Sequence, residues 1–276
     1  MRRVLIIFIV FSLFISGCTS PTDSILKAAS ERKSIAFDDW VIPRTFIPQQ
    51  LNVVGLGDSL TQGVGDELKK GGYFGRLANE EMVNWSGVKN VEALNLAKRG
   101  RKSDQLINQL ENEEIQDEVK SADIILFTIG GNDLMKVVKR DLFELKEAPF
   151  YKELDNYVKR LDELYGIIRG LNGDAIIIAA GLYNPLSIVT DESTEFDDII
   201  TDWNKAIEAR AMMDGKSCFV PVTDLFDSNV NMVYHTDFFH PNAKGYEEMT
   251  ARYLEEIERC GLDGLSNGQL DIQGAE

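Results

Sequence analysis

Ser59, within Gly57-Asp58-Ser59-Leu60, and His240, within Asp237-Phe238-Phe239-His240, are the residues whose types and spacing point to chemistry. A serine hydroxyl is a poor nucleophile at neutral pH. It attacks a carbonyl carbon only when a base takes its proton and an acid fixes the tautomer of that base. Asp237 stands three residues before His240, close enough along a tight loop for one side chain to reach the other. The chain has only two histidines, and His235 has Met232, not an acid, three residues before it. His235 therefore reads as a loop residue. Ser59 also suits a helix N-cap, but that role accounts for neither His240 nor Asn132.

Attack by a serine builds negative charge on the carbonyl oxygen, which needs donors fixed beforehand. Gly130-Gly131-Asn132-Asp133 directly follows the strand-like run 124–129, and Gly100 closes the stretch that begins at Val91. Asn132 offers an uncharged side-chain donor; its plainer reading is a turn residue. A glycine offers only backbone and lets a substrate come close. Asp58 and Asp133 read as residues that shape their turns.

These blocks resemble the SGNH, or GDSL, family of serine esterases and lipases. That family carries Ser, Gly, Asn and His in four blocks in this chain order. The first reads Gly-Asp-Ser-Leu, as residues 57–60 do; the third reads Gly-x-Asn-Asp, as residues 130–133 do; the last reads Asp-x-x-His-Pro, as residues 237–241 do. The second block is the loosest, and Gly100 matches it by position after a strand. The resemblance spans residues 51–260. It implies the SGNH hydrolase fold, a flavodoxin-like three-layer α/β/α sandwich on a five-stranded parallel sheet. It also implies a Ser59-His240-Asp237 triad, and an oxyanion hole made by the Ser59 N–H, the Gly100 N–H and the Asn132 amide. The expected activity is hydrolysis of carboxylic esters, as a lipase, esterase or lysophospholipase, with no cofactor and no metal.

The elements that must position these residues are legible independently. Apolar runs at 51–56, 91–97, 123–129, 174–181 and 217–222 lack polar alternation, as strands covered on both faces do. Helical segments fall near 72–84, 103–118, 150–170 and 196–213, with a last helix over 242–259 after Pro241. Alternation of strand and helix means a parallel sheet between two helical layers. Sites in such sheets lie beyond the carboxyl ends of the strands, which is where all four blocks fall. Residues 261–276 read as a frayed tail.

The first 17 residues form a different unit. Arg2 and Arg3 precede apolar residues 4–15 and then Ser16-Gly17-Cys18. This is a signal peptide by charge, length and small residues at the cut, and it is too short to span a bilayer. Residues 15–18 resemble the lipobox of bacterial lipoproteins, which implies lipidation of Cys18 and anchoring on the extracytoplasmic face of the cell membrane. Residues 18–50 read as the tether. Cys218 and Cys260 remain; two cysteines outside the cell could pair, but the strand around Cys218 favours free buried thiols.

Net charge of −16 on 276 residues argues against a nucleic-acid partner. The expected partners are an ester substrate, lipid or acylated carbohydrate, and the membrane. Tyr183 and Asn184, with Pro185, follow the fourth strand, and with Phe238 and Phe239 they are candidates for a substrate pocket. Residues 134–151, with Leu142, Phe143 and Phe150, are a candidate flap. Other classes fit less well. Thr61 stands where an α/β-hydrolase elbow needs Gly, and Leu60 where a dinucleotide fingerprint needs one. Two histidines without a paired ligand motif disfavour a metal enzyme. A deacetylase of cell-wall polysaccharide and a non-catalytic lipid- or carbohydrate-binding lipoprotein are the alternatives.

Overall fold

The computed structural model describes residues 46–140, 146–185, 187, 195–227 and 232–272. The signal peptide, Cys18, most of the tether, Leu142 and Phe143 lie outside them. Five strands form one parallel sheet in the order β2-β1-β3-β4-β5. They are β1 (Gln49–Gly57), β2 (Val88–Asn95), β3 (Ile124–Thr128), β4 (Ile176–Ala180) and β5 (Ser217–Val220). The helices are α1 (Ser59–Gln62), α2 (Gly72–Arg76), α3 (Ser103–Gln109), α4 (Glu113–Ser121), α5 (Gly131–Arg140), α6 (Glu147–Leu171), α7 (Glu195–Met212), α8 (Ala243–Cys260) and α9 (Leu262–Leu265). Among the described residues, no helix is long and apolar enough to cross a membrane.

Successive side chains along a strand point to opposite faces, so the central strands supply two cores. Val53, Ile124, Leu126 and Ile178 face α2 and α8; Val54, Ile125, Phe127 and Ile177 face α3, α4, α6 and α7. On α8, Tyr246, Met249, Tyr253 and Ile257 form the buried stripe, and Tyr253 stacks on Tyr73 at 4.4 Å. Burying each such side chain is worth roughly 1.5–3 kcal/mol. The chain reverses its winding direction between β1 and β3. That switch point opens a crevice at the strands' carboxyl ends.

Four expectations change. β2 is an edge strand with most side chains exposed, not a strand buried on both faces. The segment expected as one helix over 103–118 is two, because Asn112 caps a new start by accepting from the Glu114 and Ile115 N–H groups. The expected frayed tail is folded through Ile272: Leu262 and Leu270 are buried, and Asp271 bridges to Ser86. Cys218 and Cys260 are not free thiols but a disulfide, with Cα atoms 5.9 Å apart. α8 packs against β5, which brings the helix's last residue beside the strand.

Candidate active site

β1 delivers Ser59. Asp58 caps the turn that follows the strand: its N–H donates to the Thr128 carbonyl, and its Oδ1 accepts from the Leu60 N–H at 3.1 Å and from Thr128 Oγ1 at 2.7 Å. The two bonds with Thr128 tie the end of β1 to the end of β3. Ser59 is then the first residue of α1, where helix geometry leaves an amide without a partner. Among the described residues its N–H has no acceptor. Asp58 is buried, and burial pushes its carboxyl up to about 6 despite the bonds from Thr128 and Leu60.

β3 delivers Asn132, in the first turn of α5. Its Nδ2 donates to the Arg101 carbonyl at 3.1 Å, which uses one of its two hydrogens. Asp133 beside it accepts from the Ser103 N–H at 3.0 Å and from Ser103 Oγ at 2.6 Å, while Arg160 donates to both side chains. The third block is thereby locked to the start of α3, next to Gly100. Burial raises the Asp133 carboxyl above its usual range, against the bonds from Ser103 and Arg160. The Gly100 N–H, like that of Ser59, has no acceptor among the described residues.

The loop before α8 delivers His240, which is buried at 4% exposure. His240 Nδ1 lies 2.6 Å from Asp237 Oδ2. Asp237 Oδ1 accepts the backbone N–H groups of Phe239 and His240, closing a tight turn. Burial alone would raise the Asp237 carboxyl, but the bonds from the His240 backbone and ring and from Phe239 outweigh it and hold the group at about 2. This loop packs on the one that follows α1. A Cβ placed on Gly65 would lie 2.4 Å from the Pro241 carbonyl and 3.1 Å from His240 Cβ, so only glycine permits the approach. The Tyr246 hydroxyl donates to Val64, and the buried Asp66–Arg76 ion pair reaches the Ala243 carbonyl. His235 is the outlying histidine, its Nδ1 3.8 Å from Asp237 Oδ1 and beyond a hydrogen bond.

Ser59 and Asn132 open onto one cleft. Its apolar walls are Leu134 and Met135 from α5, Leu182, Tyr183 and Pro185 after β4, Ile200 from α7, and Phe239. Asn204 fixes one wall by bonding both the N–H and the carbonyl of Leu182. Of the expected pocket residues, Tyr183 lines the cleft, and its hydroxyl donates to the Phe239 carbonyl. Phe238 does not: its φ of 54° turns it out of the loop, and it is 58% exposed. Asn184 is buried elsewhere, donating to Asp197. The expected flap is largely the helical ends of α5 and α6, with Phe150 buried against Phe196. Leu134, Met135, Leu182 and Ile200 were not expected. A larger cavity of about 880 Å³ lies at the amino ends of the strands, between Gln49, Asp123 and Lys216, away from these groups. No group of three His, Cys, Asp or Glu among the described residues is placed to hold a metal ion.

This geometry coincides with a sequence match. The family model of the GDSL-like lipase/acylhydrolase family fits residues 56–248, from the end of β1 into α8. The chain belongs to that family. The chain is 34% identical over 262 residues to the protein YpmR of Bacillus subtilis, covering 94% of this chain and 98% of the relative. It is 26% identical over 224 residues to the spore germination lipase LipC of Bacillus licheniformis, covering 78% and 98% of the two chains. Among solved structures, the lipase Lip_vut3 from a goat rumen metagenome superposes with a TM-score of 0.64 at 26% identity, over 76% of this chain and 97% of that one. The GDSL fold and an esterase- or lipase-like hydrolase activity follow from this membership.

Proposed function

We propose that this GDSL hydrolase cleaves carboxylic esters through a Ser59-His240-Asp237 triad, held by a lipid anchor on the outer face of a bacterial cell membrane. The observation that carries the reading is the bond between His240 Nδ1 and Asp237 Oδ2. It places a proton on Nδ1 and leaves Nε2 as the basic nitrogen. Ser59 Oγ attacks the ester carbon while His240 Nε2 takes its proton. The oxyanion forms against the Ser59 N–H, the Gly100 N–H and the remaining Asn132 amide hydrogen. The C–O bond to the alcohol breaks as His240 returns the proton to the leaving oxygen. Water, deprotonated by His240, then hydrolyses the acyl-serine.

LipC and Lip_vut3 are named as lipases, and the cleft is lined mostly by apolar side chains. Both favour an acyl group of short to medium length over acetyl. The Cys218–Cys260 disulfide fits a domain that matures outside the reducing cytosol, as the lipobox at Cys18 requires.

The test is Ser59→Ala. It keeps the fold by circular dichroism, loses fluorophosphonate labelling and loses several orders of magnitude in kcat on a p-nitrophenyl ester. Turnover near that of the wild type would overturn the serine mechanism. Cys18→Ser, examined by membrane fractionation, releases the protein or leaves it unprocessed; unchanged fractionation and mobility would overturn the anchor.

A further inference from the structure

Arg101 sits between the two loops that carry the outer oxyanion donors, and the steps above give it no task. Its Nη1 donates to the Leu96 carbonyl at 2.8 Å and to the Gly57 carbonyl at 3.3 Å. Those carbonyls mark the carboxyl ends of β2 and β1. Its own carbonyl accepts the Asn132 amide. Its backbone N–H closes a turn onto Lys98, whose N–H in turn reaches Gly57.

Gly100 has little support of its own. It is exposed, has φ of +80°, and nothing lies within 4 Å of where a side chain would begin. The direction of its N–H is therefore set through its neighbours, and Arg101 is the neighbour whose side chain bonds both strand ends. Partial burial of a guanidinium is unfavourable in itself. The nearby Asp58 carboxylate opposes that penalty only in part, and burial still leaves the guanidinium below its ordinary value; what holds it there is the pair of bonds to the strand ends.

We propose that Arg101 is a positioning residue for the oxyanion hole. Its guanidinium staples the Gly100 loop to β1 and β2, and its carbonyl aims the Asn132 amide, so one residue sets two of the three donors. The proposal rests on the ester-hydrolase reading above. Preorganised donors act only where the charge develops, so a small displacement of the loop weakens transition-state binding and leaves substrate binding alone. Lysine keeps the charge but lacks the planar geometry that holds one nitrogen against both carbonyls.

The experiment compares wild type, Arg101→Ala and Arg101→Lys, with folding checked by circular dichroism. Arg101→Ala is expected to lower kcat about 10- to 100-fold with KM within about twofold, a fraction of what deleting a donor costs. Affinity for a trifluoromethyl ketone, which forms a charged hemiketal on Ser59, should fall by the same factor. Low millimolar guanidinium should restore part of the lost kcat in Arg101→Ala and none in Ser59→Ala. Arg101→Lys should fall between, and it carries the comparison if the alanine variant unfolds. An unchanged kcat, or a kcat loss without loss of ketone affinity, overturns the proposal while fluorophosphonate labelling of wild-type Ser59 keeps the underlying reading. A wild type that is not labelled overturns both.

Discussion

The Asp237 carboxylate holds His240 twice: Oδ2 meets the imidazole Nδ1 at 2.6 Å, and Oδ1 accepts the same residue's backbone N–H at 3.0 Å. Ring orientation and loop conformation are thus set by one group. Burial opposes the ionised form, yet the three donated bonds keep the carboxyl at about 2. A depressed value means the interaction is complete above the unfolded value of 3.8 and is lost only as pH falls through about 2. Activity lost between pH 7 and pH 4 therefore does not come from protonating Asp237. Asp237→Asn can present an amide to Nδ1 and hold the wrong tautomer. It should lower kcat about 10²- to 10⁴-fold with the fold intact. A kcat/KM profile across pH 4–9 for both proteins checks this, and a variant within threefold of wild type would remove Asp237 from the proposed triad.

Asp58 makes a prediction about stability. It is buried at the turn that carries Ser59, with Thr128 and the Leu60 N–H donating to it, the Asp133 charge against it and Arg101 in its favour. Its value rises from 3.8 to about 6 in the fold. The folded state then binds a proton that the unfolded state has released, so stability declines as pH rises from about 4 through 6. Two units correspond to about 3 kcal/mol at most. Asp58→Asn keeps the accepting oxygen and removes the charge. Urea midpoints at pH 4, 5 and 7 should show this decline in the wild type and not in the variant. Parallel curves would mean that Asp58 does not titrate in that window.

Much of this was legible in the chain because strand and helix periods are local. The runs around 124–129, 174–181 and 217–222 contain the observed strands, and the helices over 150–170 and 196–213 lie within α6 and close to α7. What was not legible depends on distance across the fold. The exposure of β2 follows from its place at the sheet edge, which topology decides. The Cys218–Cys260 pair depends on α8 returning its end to β5. The choice of Phe239 over Phe238 as a cleft residue depends on the positive φ at Phe238 inside the Asp237 turn. Helical periodicity marks Ile200 as buried but does not say that it reaches past the sheet to the cleft, and Leu134 falls in the segment read as a flap, where no helix is expected.

The disulfide closes a long loop that contains the whole His240 segment. Constraining a loop of 42 residues is worth about 4 kcal/mol in the chain-entropy description. Cys260 is exposed, so a reductant can reach it. Reduction, or the double variant Cys218→Ser with Cys260→Ser, should lower the urea midpoint substantially. Neither sulfur lines the cleft, so kcat measured under folding conditions should stay within about twofold of wild type. Superimposable unfolding curves with and without reductant would show that the bond does not constrain the domain in solution.

The cleft predicts the acyl preference. Leu134, Met135, Leu182 and Ile200 present aliphatic surface beside Ser59, and each methylene buried there yields about 0.8 kcal/mol. That energy is realised in the transition state as well as the ground state, so kcat/KM rises about three- to fourfold per added CH₂ until the cleft is filled. Met135 is the wall residue to change, because it is only half-buried and belongs to none of the hydrogen-bonded groups around Ser59. Met135→Trp adds bulk to that wall of the cleft. It should shift the optimum to a shorter chain while leaving the rate on p-nitrophenyl acetate within about twofold. The measurement is kcat/KM on p-nitrophenyl esters from acetyl to dodecanoyl for both proteins. A wild-type profile that peaks at acetyl and falls at butyryl would reject the apolar cleft as an acyl site, and would favour removal of acetyl groups from a wall polysaccharide.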